Sequence, residues 1–158
     1  MKADLQENER SHMTRSQPSQ SLGKHRILYV DDNLACLEAR AALLEEEGYV
    51  VTTVNCPLMA LKCDVSEFHL AILDFDMPGL NGFELLLRLR AAHASFPIML
   101  LSGMARDLPN DMRRVFTSCH DKGEPVHLLL NALRSYLNLA PDPSSDSDAR
   151  PLYRRHGS

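Results

Sequence analysis

The chain has 158 residues, 44% hydrophobic and 24% charged, with 17 Lys+Arg against 21 Asp+Glu for a net charge of −4. That length suits one domain, able to bury a core without a disulfide staple or a structural metal. The mild acidity, with no basic run longer than a pair, argues against a nucleic-acid binder.

Residues 1–24 and 141–158 are rich in Ser, Pro, Gln, Asp and Arg and poor in aliphatic residues, which predicts a disordered N-terminal extension and C-terminal tail. Between them, residues 25–140 alternate short apolar runs with segments of helical period. Arg26–Val30 reads as a buried strand ending at Asp31-Asp32. Leu34–Glu47 places Leu34, Leu37, Ala41 and Leu44 at helical spacing, with Gly48 as a stop. Tyr49–Val54 is a β-branched strand, and Pro57–Lys62 a short helix with Pro in its first turn. His69–Leu73 is a third strand ending at Asp74.

Pro78-Gly79 and Asn81-Gly82 mark turns, and Phe83–His93 is helical. Pro97–Leu101 is a fourth strand running into Ser102-Gly103. Asp107–Arg114 predicts a weak helix and Val115–His120 a poor fifth strand, both expected to be short or irregular. Val126–Asn138 closes the unit as a helix with Val126, Leu129, Leu130, Leu133 and Leu137 on one face. Apolar strands joined by helical crossovers imply a parallel sheet covered on both sides.

No apolar run approaches the ~18 residues of a membrane span. Residues 1–20 lack the apolar core of a secretory signal, so a cytoplasmic protein with no membrane partner is expected. Cys36, Cys56, Cys63 and Cys119 show no CxxC spacing and sit in or beside apolar segments, as buried reduced thiols do. The seven histidines show no metal spacing.

In such sheets ligands bind beyond the carboxyl ends of the strands. Those ends carry Asp31-Asp32, Asn55, Asp74, Ser102 and Lys122. Singly, each has a plain reading: Asp31-Asp32 as a helix cap, Asp74 and Asp76 as turn residues, Ser102-Gly103 as a turn, Lys122-Gly123 as a surface loop. Together they form a set. Three converging carboxylates repel one another, and a hard dication such as Mg²⁺ relieves that. An Asp nucleophile, a metal, a hydroxyl donor and an ammonium are what phosphoryl transfer onto a carboxylate needs.

The motifs ILYVDDN at Ile27–Asn33, LDFDMPGLNG at Leu73–Gly82, LLSG at Leu100–Gly103 and DKGEP at Asp121–Pro125 resemble the receiver domain of bacterial two-component response regulators. The resemblance covers residues 25–140 and implies a flavodoxin-like α/β fold, a doubly wound parallel sheet with strand order 2-1-3-4-5. It implies that Asp74 takes a phosphoryl group from a histidine kinase or phosphotransfer protein. Asp31, Asp32, Asp74 and the backbone carbonyl of Asp76 would hold Mg²⁺, with Ser102 at the family's switch hydroxyl and Lys122 as its lysine. Asp76 and Met104 fall at positions that tune phosphoryl lifetime in the family. The tail after the last helix is too short for an output domain, so a stand-alone receiver is expected. It would signal by contact with another protein, by homodimerisation on phosphorylation, or by passing the phosphoryl group on.

Two departures stand out. Gly123 follows Lys122 where the family has proline, often after a cis bond that glycine would not favour. Cys119 stands where the family has an aromatic switch residue, which His120 or Phe116 would replace only if the register slipped. Two other readings remain open. The D-x-D of Leu73–Met77 resembles haloacid-dehalogenase-type phosphatases, although there the acidic pair follows the motif. A receiver-fold interaction module that is never phosphorylated is the other.

Overall fold

The computed structural model describes residues 25–139; the expected disordered extension and tail lie outside them. Strands β1 (Arg26–Val30), β2 (Val50–Val54), β3 (Leu70–Leu73), β4 (Ile98–Ser102) and β5 (Ser118–Asp121) alternate with helices α1 (Leu34–Glu46), α2 (Pro57–Ala60), α3 (Gly82–Ala91), α4 (Asn110–Arg113) and α5 (Val126–Leu139). The strands form one parallel sheet in the order β2-β1-β3-β4-β5, the flavodoxin-like order the motifs implied.

Because strand side chains alternate between faces, β1, β3 and β4 feed two cores. Leu28, Val30, Ala71, Leu73, Ile98 and Leu100 face one side and pack with Leu85, Leu86 and Leu89 of α3 and with Phe68 and Phe96. Ile27, Tyr29, Leu70, Ile72, Met99 and Leu101 face the other, against Leu37 and Leu44 of α1 and Leu129, Leu133 and Leu137 of α5. Central strands buried on both faces explain their unbroken apolar runs. The edge strands β2 and β5 have no fully buried residue.

The boundaries differ from the sequence reading where tertiary contacts intervene. Gly48 turns the chain at φ +94°, and Tyr49 enters the core, so β2 starts at Val50. Helix α2 is one turn, ending before Lys62. Strand β4 runs on through Ser102.

The expected irregularity after β4 is confined to α4, a single turn. Strand β5 is short but regular, and begins three residues later than expected. Phe116 is buried in the core and Thr117 bonds Ile98 through both its N–H and its hydroxyl before the strand begins. Leu34 and Val126, placed on core faces by their spacing, are exposed at the first turns of their helices. The four cysteines are free but half-buried rather than buried.

Candidate functional site

Strands β1 and β3 lie side by side with Val30 opposite Leu73, so the next residue of each, Asp31 and Asp74, leaves the sheet at the same level. The ladder continues one residue further, the Asp74 N–H donating to the Val30 carbonyl at 2.9 Å and the Asp31 N–H to the Val54 carbonyl at 3.2 Å. Backbone pairing therefore fixes both carboxylates. Asp32 follows on the surface, and Asp31, Asp32 and Asp74 each offer an oxygen within 4.8 Å of the others.

On the other side, Ser102 pairs with Asp121 at the end of the β4–β5 ladder, and the Lys122 N–H donates to the Ser102 carbonyl. The Lys122 ammonium reaches across to Asp31 Oδ2 at 2.7 Å and Asp74 Oδ1 at 3.3 Å. Ser102 is buried, and its Oγ accepts from the Met104 N–H at 3.2 Å, which leaves the hydroxyl proton to donate. The sequence reading's Asp31, Asp32, Asp74, Ser102 and Lys122 thus share one end of the sheet. Asp76 and Met104 are exposed, and the Asp76 carboxylate is not part of the acidic cluster.

The capping role weighed for Asp31-Asp32 belongs to Asn33, whose side chain accepts from the Cys36 N–H. Asp31 is instead fully buried. Its Oδ1 accepts from the Asn33 N–H at 3.0 Å, and its Oδ2 from the Tyr29 hydroxyl at 3.1 Å as well as from Lys122. Tyr29, read only as an apolar strand residue, is therefore a polar neighbour of the site. Gly82, read as a turn residue, opens α3 against the Asp74 backbone, where a Cβ would lie 2.3 Å from the Asp74 carbonyl oxygen. Its signal was the Asn81-Gly82-x-Glu84 capping box, which both Asn81 and Glu84 complete.

Burial pushes the Asp74 carboxyl above its ordinary range; the Lys122 ammonium pulls it back and the Asp31 charge pushes it up again. Burial opposes the charge on Lys122, but its bond to Asp31 and the charges of Asp74 and Asp31 outweigh it and raise its pKa. Lys122 alone thus leaves Asp74 short of positive charge. An all-oxygen donor set with one exposed member suits a hard dication that keeps part of its water, which is the chemistry of Mg²⁺.

Two features separate this region from the expected alternatives. The second Asp of the D-x-D, Asp76, is exposed and is not part of the cluster, which uses the pair preceding the motif. The β4–β5 register pairs Leu100 with Cys119 and Leu101 with His120, so no slip brings His120 or Phe116 into the Cys119 position. Cys119 packs against the α3 side of the core and its thiol reaches the Arg113 carbonyl at 3.6 Å. The peptide between Lys122 and Gly123 is trans.

Comparisons with known proteins agree with this geometry. Residues 27–119 match the response regulator receiver domain family. A CpxR homolog from Haemophilus influenzae, a transcriptional regulatory protein, is 37% identical over 83 residues, covering 52% of this chain and 36% of its own length. The two-component response regulator ARR10 of Arabidopsis thaliana is 39% identical over 80 residues, 49% of this chain and 14% of its own. The chain therefore spans well under half the length of these relatives. The crystal structure of the response regulator TrrA from Thermotoga maritima in complex with Mg²⁺-BeF superposes with a TM-score of 0.66 at 28% identity, covering 71% of this chain and 98% of that one. With a match over more than half its length, a sheet in receiver order and an acidic cluster at the expected strand ends, the chain belongs to the response regulator receiver domain family.

Proposed function

We propose that this chain accepts a phosphoryl group on Asp74 from a histidine kinase or phosphotransfer protein and signals through the modified domain. The observation that carries the reading is the Lys122 ammonium bridging Asp31 and Asp74 beside three converging carboxylates. An Asp74 carboxylate oxygen attacks phosphorus as the P–N bond to the donor histidine breaks; the electron pair returns to the ring nitrogen, which takes up a proton. Lys122 neutralises charge on Asp74 and the incoming phosphoryl oxygens, and the Ser102 hydroxyl donates to one of them.

Asp31, Asp32, Asp74 and the backbone carbonyl of Asp76 would hold Mg²⁺, consistent with the Mg²⁺-BeF complex of the TrrA relative. When bound, the ion supplies positive charge to the phosphoryl oxygens. The output is contact with another protein, including a second copy of the chain, or onward transfer. Among the described residues no helix is long and apolar enough to cross a membrane, and we place the protein in the cytoplasm with its kinase.

The test is labelling by a small-molecule phosphodonor. The reading expects an Mg²⁺-dependent, acid-stable, base-labile label that disappears in Asp74→Asn and forms about a hundredfold more slowly in Lys122→Ala. No label in wild type would leave only a receiver-fold interaction module. Met104 is 45% exposed beside Ser102, where its apolar side chain shields the acyl phosphate from water; Met104→Glu should shorten the lifetime of the label. A longer lifetime would refute the shielding. A kinase-panel phosphotransfer profile would then identify the donor.

A further inference from the structure

Lysine carries its charge on a flexible four-carbon stem, so the place of the Lys122 ammonium depends on how its backbone is held. Gly123 follows it, and glycine leaves the intervening peptide plane free to rotate. Both edges of that plane are nevertheless tied by side chains. The Lys122 carbonyl accepts from Arg40 Nη2 at 2.8 Å, and the Gly123 N–H donates to Asp121 Oδ1 at 2.8 Å. Arg40 lies on α1, 82 residues away in sequence and half-buried, and it bridges from that helix to the β5–α5 loop.

We infer that Arg40 is a positioning residue for phosphoryl transfer: with Asp121 it clamps the Lys122–Gly123 peptide plane and so holds the Lys122 ammonium on Asp31 and Asp74. The inference rests on the phosphoacceptor reading above. Three observations favour a clamp over an incidental surface bond. The Arg40 contact joins α1 to the β5–α5 loop across 82 residues of sequence. The plane is restrained at its carbonyl and its amide by different side chains. Among the described residues the one other bond of the Lys122 backbone, its N–H to the Ser102 carbonyl, leaves the Lys122 carbonyl free to turn. A charge-assisted bond from guanidinium to carbonyl is strong enough to restrain one peptide plane.

The test is a double-mutant cycle in the full chain, read as the initial rate of labelling from a small phosphodonor with Mg²⁺. Arg40→Ala should slow labelling about tenfold, an ångström-scale misplacement of the ammonium being enough for that. Arg40→Lys, which can still donate to the carbonyl, should recover part of the rate. In a Lys122→Ala background, Arg40→Ala should have no further effect. An equal loss in both backgrounds, or none in either, would overturn the proposal by showing that Arg40 acts on folding or not at all.

Amide hydrogen exchange at Gly123 gives a readout independent of chemistry. Arg40→Ala should speed it, and unchanged exchange would also overturn the clamp. If wild type takes no label, the phosphoacceptor reading fails and the exchange measurement alone decides whether the clamp exists.

Discussion

The two halves of the site are built differently. Asp31 and Asp74 leave the two central strands, where every residue of β3 and all but Arg26 of β1 are buried and backbone bonds continue past the strand ends. Lys122 leaves an edge strand with no buried residue, next to the single-turn α4, and its peptide plane is held by Arg40 and Asp121 side chains. The acidic half leaves buried central strands, whereas the cationic half leaves an edge strand, held by one backbone bond from the Lys122 N–H to the Ser102 carbonyl and otherwise by side-chain bonds. Substitutions should therefore separate stability from phosphoryl chemistry according to which half they touch.

The largest effect on stability belongs to the acidic half. Leu73→Ala, at the strand residue before Asp74, should cost about 2–5 kcal/mol in urea unfolding, whereas Leu87→Ala on the exposed face of α3 should stay within about 0.5 kcal/mol. Equal costs would break the contrast. Gly82→Ala should cost about 3 kcal/mol and also slow labelling, because the added carbon must displace the Asp74 backbone; an unfolding midpoint and a labelling rate that both match wild type would show that the close approach is not needed.

The smallest effect lies on the edge. Burial holds the His120 imidazole below its ordinary value, with Glu124 opposing, so as pH falls below about 6.5 the unfolded chain takes up the proton first and stability drops. His120→Gln should flatten that acid-side slope, as seen in unfolding midpoints at pH 7.5 and 5.5. An unchanged slope would assign it to other groups.

Legibility in the sequence followed the same division. The apolar runs of β1, β3 and β4 carried their own boundaries to within a residue or so, and with them the places of Asp31, Asp74 and Ser102, because burial on both faces leaves little choice of composition. Strand β5 was harder to place: SCHD has no apolar pattern, and its start is set by Phe116 entering the core and Thr117 bonding Ile98. Leu34 and Val126 fit a helical period but open their helices and are left exposed there. Tyr29, Arg40 and the close approach at Gly82 act through contacts between distant segments, and no local pattern announces a hydroxyl aimed at Asp31 or a guanidinium reaching Lys122.

The most direct test of the central claim is the position of the covalent bond. After incubation with a phosphodonor and Mg²⁺, borohydride reduction converts an aspartyl phosphate to homoserine, which peptide mass spectrometry locates. Homoserine at position 74, dependent on Mg²⁺, is the result expected here. Modification at Asp31, Asp32 or Asp76 instead, or none at all, would contradict it.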